Sequence, residues 1–266
     1  MTDLPHSTKA RRVNSIVVRE WGDGIPLVLI HGGTGSWTHW QRIISLLADR
    51  FHVMAIDLPG YGAAPTPADV DPASYLRLVV DSIADLALGL FDIVGFSFGA
   101  VVTAGIAKSL SESVRRISLL GPGGFGKPAG RNVSLMKLTS RDDDPESYRS
   151  AVAYNLGQFM LAKAPSPNDR VVDLQIDNIN NARFDSRRLS HQPSLISDLT
   201  SSHQLLQIIW GSEDCLANPS IKARAELCRS ARPDAQIHIV PGAGHWVQHD
   251  APQAVSHLLT QFHGRP

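Results

Sequence analysis

Short apolar runs alternate along this chain with longer stretches in which apolar residues recur at helical spacing. Residues 26–30 (PLVLI) form a continuous apolar run that stops at His31-Gly32-Gly33, the pattern of a strand buried on both faces. Before it, Val13, Ile16 and Val18 predict a strand or hairpin over residues 12–20 that turns at Asn14-Ser15. Residues 37–49 predict a helix, and residues 51–56 a strand closed by Asp57-Leu58-Pro59-Gly60. Tyr75, Leu78, Val79, Ile83 and Leu86 predict a helix over 74–88. A strand at 90–94, a helix at 97–110 and a strand at 114–120 follow.

The alternation then stops. Residues 121–202 are helical and irregular, rich in Arg, Asp and Pro, with Asp144-Pro145 as N-cap and first helical residue of a helix over 145–161. Strands resume at 205–210 and 236–240, each followed by a helix, about 219–231 and 247–263. Repeated βα units predict an α/β fold with a mostly parallel sheet flanked by helices. An interruption of about 80 residues reads as a helical cap inserted between two strands. The expected division is a core of residues 1–120 and 203–266 and a cap of residues 121–202.

Composition narrows the function classes. The chain has 266 residues, 43% hydrophobic and 19% charged, ordinary globular usage with enough length for a core that needs neither disulfides nor metals. Lys plus Arg and Asp plus Glu are each 25, so no basic footprint for nucleic acid and no polybasic membrane anchor is expected. Cys215 and Cys228 are too few and too far apart for a zinc site or a redox pair, and are expected to be reduced and structural. The first residues lack the apolar core of a signal peptide, and no stretch reaches the roughly 20 apolar residues of a membrane span. A cytoplasmic protein with a small-molecule substrate is expected, and its oligomeric state stays open.

Chemistry enters at Gly95-Phe96-Ser97-Phe98-Gly99, a G-x-S-x-G motif between a buried strand and a helix of small residues. A strand-to-helix elbow needs glycines around the serine because the backbone there is sharply turned and closely packed. It exposes the serine hydroxyl and aims a helix N-terminus at developing negative charge. The serine could instead merely cap a helix. A nucleophile also needs a base and an orienting acid. His245, in the loop Pro241-Gly-Ala-Gly244-His245-Trp246, follows the last strand, at the sheet edge where ligands bind in such folds. His249, one turn on, is expected on a helix away from that edge. Asp214 follows the preceding strand and is favoured over Glu213, because a short carboxylate near the strand end reaches an imidazole with less slack. An aspartate bonding its own turn is the plainer reading of Asp214 alone. Backbone N–H groups of Gly33 and Phe98 would form the oxyanion hole, and His31 would brace its loop.

Together these residues resemble the α/β-hydrolase superfamily over nearly the whole chain, from Val13 to the last helix. The motifs that carry the resemblance are His31-Gly-Gly, Asp57-Leu-Pro-Gly-Tyr-Gly62, the elbow, Gly-Ser-Glu-Asp214 and Gly-Ala-Gly-His245, with Ser97, Asp214 and His245 in that superfamily's chain order. His245-Trp246 followed by Gln248 is similar to the carbon–carbon bond hydrolases that act on meta-cleavage products of aromatic ring degradation. The lid stretch Arg183-Phe-Asp-Ser-Arg187-Arg188 resembles that group as well. One position departs, with Phe96 where that group carries asparagine.

The resemblance implies an α/β-hydrolase fold and a cofactor-free, metal-free serine hydrolase of a conjugated keto-acid. In that reading Phe96 and Trp246 wall the pocket, and Arg183, Arg187 or Arg188 binds the substrate carboxylate bidentately. Pairing of these arginines with Asp177 and Asp185 on the cap's outer face is the plainer expectation. A carboxylesterase or lactonase is the alternative, and a ligand receptor on the same scaffold or a cofactor-free lyase or perhydrolase are further ones. Whether Ser97 or water attacks stays open. Gly121-Pro-Gly-Gly-Phe-Gly126 matches a dinucleotide loop, but Pro128 and Gly130 stand where its helix would open. Asp142-Asp-Asp144 reads as a helix start rather than a metal site. Tyr148, Val152, Phe159 and Met160 read as core packing of the cap.

Overall fold

A computed structural model describes residues 10–68, 71–127, 133–138 and 140–265. The first hairpin joins β1 (Arg11–Val13) to β2 (Ile16–Trp21) through Asn14, whose φ of 48° suits a short polar side chain. After β3 (Ile25–Ile30) the expected helix over 37–49 divides into a 3-10 turn, Trp37–Trp40, and α1 (Ile44–Ala48). Long-range contacts set that tight turn: the Trp37 N–H donates to Asp57 at 2.8 Å and the Thr38 hydroxyl to Asn178 at 3.2 Å. The chain continues through β4 (Phe51–Asp57), α2 (Pro72–Ala84), β5 (Phe91–Phe96), α3 (Phe98–Ser109) and β6 (Val114–Leu120).

Among the described residues, four helices lie between β6 and the next strand: α4 (Pro145–Phe159), α5 (Arg170–Asn180), α6 (Arg187–Ser190) and α7 (Leu195–Thr200). Asp144 caps α4 by accepting the Ser147 N–H at 3.0 Å, with Pro145 in the first turn. The core resumes with β7 (Leu205–Gly211), α8 (Ile221–Ala231) and β8 (Gln236–Val240). The helix expected over 247–263 breaks into α9 (Val247–Asp250) and α10 (Pro252–His263), because Pro252 has no N–H to continue the ladder.

The eight strands order as β1-β2-β4-β3-β5-β6-β7-β8, antiparallel between β1, β2 and β4 and parallel from there on. Alternate strand residues face opposite layers. Val28, Ile30, Met54, Ile56 and Ile93 pack toward α2, α3 and α8, while Leu27, Leu29, Val53, Ala55 and Val94 pack toward α1 and α10. The strand order reverses at β3, so the chain leaves β3 and β5 in diverging directions and opens a crevice at their carboxyl ends. No helix among the described residues is long and apolar enough to cross a membrane. Cys228 is buried as expected of a structural cysteine, whereas Cys215 is exposed.

Near the amino end of β5 a buried polar network ties the sheet to α10. Asp92, fully buried, accepts from Arg115 at 3.0 and 2.9 Å and from His263 Nδ1 at 3.0 Å. Burial would raise the Asp92 carboxyl, but the bonds from His263 and Arg115 hold it below its ordinary value. A carboxyl lowered on folding adds stability that is present above the ordinary carboxylate range and lost as pH falls through its folded value. Asp92→Asn is therefore expected to cost about 1–3 kcal/mol at neutral pH, since it takes the carboxylate from the half-buried Arg115 guanidinium and one acceptor from the buried His263 Nδ1–H. It should also flatten the acid side of the melting-temperature profile. Thermal melts of both proteins from neutral to acid pH check this, and parallel profiles would refute it.

Candidate active site

Ser97 sits between β5 and α3 at φ 55°, ψ −112°, outside the regions that side-chain-bearing residues favour. The tightness of the turn explains the glycines. A Cβ on Gly95 would lie 2.3 Å from Thr103 Oγ1 and 2.5 Å from the Gly99 carbonyl, and one on Gly99 would lie 2.4 Å from the Ile30 and His31 carbonyls. The Ser97 N–H donates to the Leu120 carbonyl at 2.9 Å, and its own carbonyl accepts from Ala100 and Gly123 at 3.1 Å. The elbow is thus anchored to β6 and leaves Oγ free to face the neighbouring loops.

Parallel strands β7 and β8 deliver the other two groups. His245 Nε2 lies 2.9 Å from Ser97 Oγ, and Nδ1 lies 2.9 Å from Asp214 Oδ2. A carboxylate only accepts, so Nδ1 carries the proton and Nε2 is left to accept from the serine. Asp214 also takes the Leu216 N–H at 2.9 Å. Burial alone would raise the Asp214 carboxyl, but His245 and the Leu216 N–H hold it below the usual carboxylate value. Glu213 is exposed and accepts from the Ser212 hydroxyl at 3.0 Å. The His245 loop is pinned from both sides: Asp250 accepts the Gly244 N–H at 2.7 Å, and the Trp246 N–H donates to Met160 of α4's C-terminus at 2.7 Å.

The glycine loop after β3 runs beside the elbow, because Ile30 pairs with Gly95 in register. A Cβ on Gly32 would stand 3.3 Å from the Ser97 Cβ, and one on Gly33 3.8 Å from the Phe98 Cβ. Phe98 opens α3, so its N–H has no acceptor within the helix. His31 explains how the Gly33 N–H is aimed. Its Nδ1–H donates to the Gly32 carbonyl at 2.7 Å, while Nε2 accepts the Leu58 N–H at 3.1 Å. The Gly32 carbonyl and the Gly33 N–H belong to one trans peptide and point in opposite directions, so fixing one fixes the other. The brace expected of His31 therefore acts on the peptide that carries the Gly33 N–H.

Two contributors escaped the sequence reading. His39 accepts the Gly32 N–H on Nδ1 at 3.2 Å, and burial, followed by the nearby His31, His245 and His249, pushes it well below its usual value, so it stays neutral. No motif in the sequence marked it. Gly121, at φ 48°, lies under the His245–Asp214 pair: a Cβ there would be 3.0 Å from the His245 ring and 3.2 Å from Asp214 Oδ2. The sequence offered it as part of a dinucleotide loop. Its glycine serves instead to let β6 end beneath an imidazole. Pro128 and Gly130 of that motif lie outside the described residues.

The remaining expected site residues are placed otherwise. Phe96 and Trp246 are 0% and 1% exposed, so they pack beneath the site rather than wall it. The Phe96 ring centroid is 5.1 Å from His245, and the Trp246 indole N–H donates to the His39 carbonyl at 2.9 Å. Arg183 reaches across to the 60–66 loop, donating to Thr66 Oγ1 at 2.9 Å and to the Gly62 and Ala64 carbonyls at 3.1 and 2.8 Å. Arg187 pairs bidentately with Asp185 at 2.8 Å and is highly exposed. The Arg188 guanidinium lies over the Phe184 ring at 5.9 Å. The Arg187–Asp185 pair is the plainer of the two expectations for these arginines, whereas the reach of Arg183 to backbone carbonyls of the 60–66 loop was not legible in the sequence.

Ser118, His263 and Asp92 repeat the same spacing, with Ser118 Oγ 2.8 Å from His263 Nε2. All three are completely buried, and Ser118 also bonds Gln207 Oε1 at 2.9 Å. Triad geometry without access is only a structural network. Exposure separates the two sets, since Ser97 is part-exposed at the crevice.

This fold and this arrangement of elbow, histidine loop and glycine loop define a hydrolase. The chain belongs to the alpha/beta hydrolase family, whose model matches residues 27–258. It is 26% identical to 2-hydroxymuconate semialdehyde hydrolase from Pseudomonas sp. (strain CF600), covering 91% of this chain and 87% of that one. It is also 26% identical to the dihydrolipoyllysine-residue acetyltransferase component of the acetoin cleaving system of Pseudomonas putida. That match covers 90% of this chain but spans only 63% of that relative's length. Among solved structures, a meta-cleavage product hydrolase from Pseudomonas fluorescens IP01 superposes with a TM-score of 0.77 at 21% identity, covering 96% of this chain and 97% of that one. An esterase from Rhodococcus sp. ECU1013 does so with a TM-score of 0.73 at 18% identity, covering 97% and 98%.

Proposed function

We propose that the protein is a cofactor-free serine hydrolase in which Ser97 attacks the carbonyl carbon of a small acyl substrate. The observation that carries this reading is the continuous line from Ser97 Oγ through His245 to Asp214, each step 2.9 Å, at the crevice edge. In this reading His245 takes the Ser97 proton, Asp214 stabilises the imidazolium that forms, and the N–H groups of Gly33 and Phe98 receive the oxyanion. The tetrahedral intermediate collapses with expulsion of the leaving group, which His245 protonates. Water then repeats the sequence on the acyl-enzyme and regenerates Ser97.

Ester hydrolysis is the form of this chemistry the surroundings favour. Arg183 and Arg187 are already engaged with carbonyls and with Asp185. The second reading is carbon–carbon bond hydrolysis of a conjugated keto-acid. It is favoured by the 26% identity to 2-hydroxymuconate semialdehyde hydrolase and by His245-Trp246 with Gln248.

The test is a panel of p-nitrophenyl acetate, short lactones and vinylogous 1,5-diketo acids, with labelling of Ser97 by a fluorophosphonate. Ester turnover with labelled Ser97 supports the first reading, and turnover of the keto-acid alone supports the second. No labelling and no turnover would remove both and leave the ligand-receptor reading. Arg187→Gln is expected to change KM for anionic and neutral substrates by less than about twofold, since a solvent-exposed ion pair contributes little. A tenfold rise for the anionic substrate alone would restore the carboxylate-binding cap.

A further inference from the structure

The turn that follows the oxyanion glycines is strained, and it is held from the cap. Thr34 has a φ of 49°, a left-handed conformation that a β-branched side chain adopts only at a cost. Such a residue persists where its surroundings over-determine it. Here the holding groups come from α5, more than a hundred residues away in sequence. Gln175 Nε2 donates to the Thr34 carbonyl at 3.3 Å. Asn178 Oδ1 accepts the Ser36 hydroxyl at 2.8 Å and the Thr38 hydroxyl at 3.2 Å. Residues 175 and 178 are three apart and share one helix face.

Both amides are buried, at 7% and 3% exposure. Each also leaves one atom, Gln175 Oε1 or Asn178 Nδ2, without a hydrogen-bond partner in the protein. Two half-satisfied buried amides are a net cost to folding that apolar residues of the same size would avoid. That cost marks the bonds they do make as the reason for their presence.

We infer that Gln175 and Asn178 are positioning residues for the oxyanion hole: through them α5 holds Thr34 in its left-handed turn, and so holds the neighbouring Gly33 N–H where the substrate oxyanion develops. This inference rests on the Ser97 hydrolase reading. His31 and His39 fix the inner side of the same loop through the Gly32 carbonyl and N–H. The cap helix fixes its outer side. The oxyanion donor is then competent only while α5 is docked, which couples the cap to the chemical step and not only to substrate access.

The experiment measures kcat and KM for p-nitrophenyl acetate in Gln175→Met/Asn178→Leu, which keeps side-chain volume, with Thr34 intact and with Thr34→Gly. Glycine takes positive φ without the steric cost, so the turn no longer needs to be held. With Thr34 present, kcat is expected to fall about tenfold or more with KM changed less than about threefold. In the Thr34→Gly background the same pair of changes is expected to lower kcat by less than about threefold. Asn178→Asp, which keeps the accepting oxygen, is expected to retain kcat whether or not the double variant folds well. Equal losses in both backgrounds, a change confined to KM or to melting temperature, or loss of kcat in Asn178→Asp would overturn the inference. Failure of the underlying reading is separately visible, because wild-type turnover would then survive Ser97→Ala.

Discussion

Ser97→Ala is expected to leave the melting temperature within a degree or two of the parent (about 0.5 kcal/mol) and to lower kcat by about a thousandfold or more. The structure separates the two effects. The elbow is held by backbone bonds, from the Ser97 N–H to Leu120 and from Ala100 and Gly123 to the Ser97 carbonyl, and all of them survive in alanine. The Ser97 side chain makes no capping bond to α3, so the helix start does not depend on it. What the hydroxyl does make is the 2.9 Å bond to His245 Nε2. Alanine pays the same unusual φ as serine, so strain does not distinguish the two. Stopped assays and thermal melts on one preparation check both halves. Near-parental turnover with a parental melt would remove Ser97 as nucleophile.

Asp214→Asn is expected to cost orders of magnitude in kcat/KM, up to about ten-thousandfold, while Glu213→Gln changes it less than about threefold. The carboxylate at 214 only accepts and therefore keeps the proton on His245 Nδ1. An asparagine can turn its NH₂ toward Nδ1, which forces the proton onto Nε2 and removes the base that Ser97 needs. Asp214 is buried, so nothing from solvent replaces the lost charge when the imidazolium forms. Glu213 sits outside, bonded to Ser212, and its neutral amide costs little. The linkage has a definite sign. A carboxyl lowered on folding contributes stability above the ordinary carboxylate range and loses it as pH falls through the folded value, so Asp214→Asn should be less sensitive to acid unfolding. Reversed effects of the two substitutions on kcat/KM would reassign the acid.

The α/β alternation, the interrupted middle and the three motif residues were all legible from residue order. Buried parallel strands are continuous apolar runs, as in 26–30, and the elbow's glycines are required by a sharp turn within the five residues Gly95 to Gly99. The ends of elements were less legible. The helix expected over 37–49 became a 3-10 turn and α1, because Asp57 and Asn178 bond the backbone and side chains of its first turn. Periodicity reports which face is apolar and says nothing about a distant polar partner.

By itself, then, the sequence determined the fold class and that Ser97, Asp214 and His245 each follow a strand, because strand, elbow and turn are each written in spacings of a few residues. The tertiary structure decided everything that depends on depth or on long-range reach. It put Asp214 inside and Glu213 outside, though the two are adjacent. It buried Phe96 and Trp246, and it bound Arg183 to carbonyls of the 60–66 loop. It made Gly121 a floor for His245, and it brought His39, Gln175 and Asn178 onto the glycine loop after β3. The physical reason is common to all of these. A charged or amide side chain has the same local signature whether it meets water, a carbonyl or a substrate, and only the folded chain selects among them.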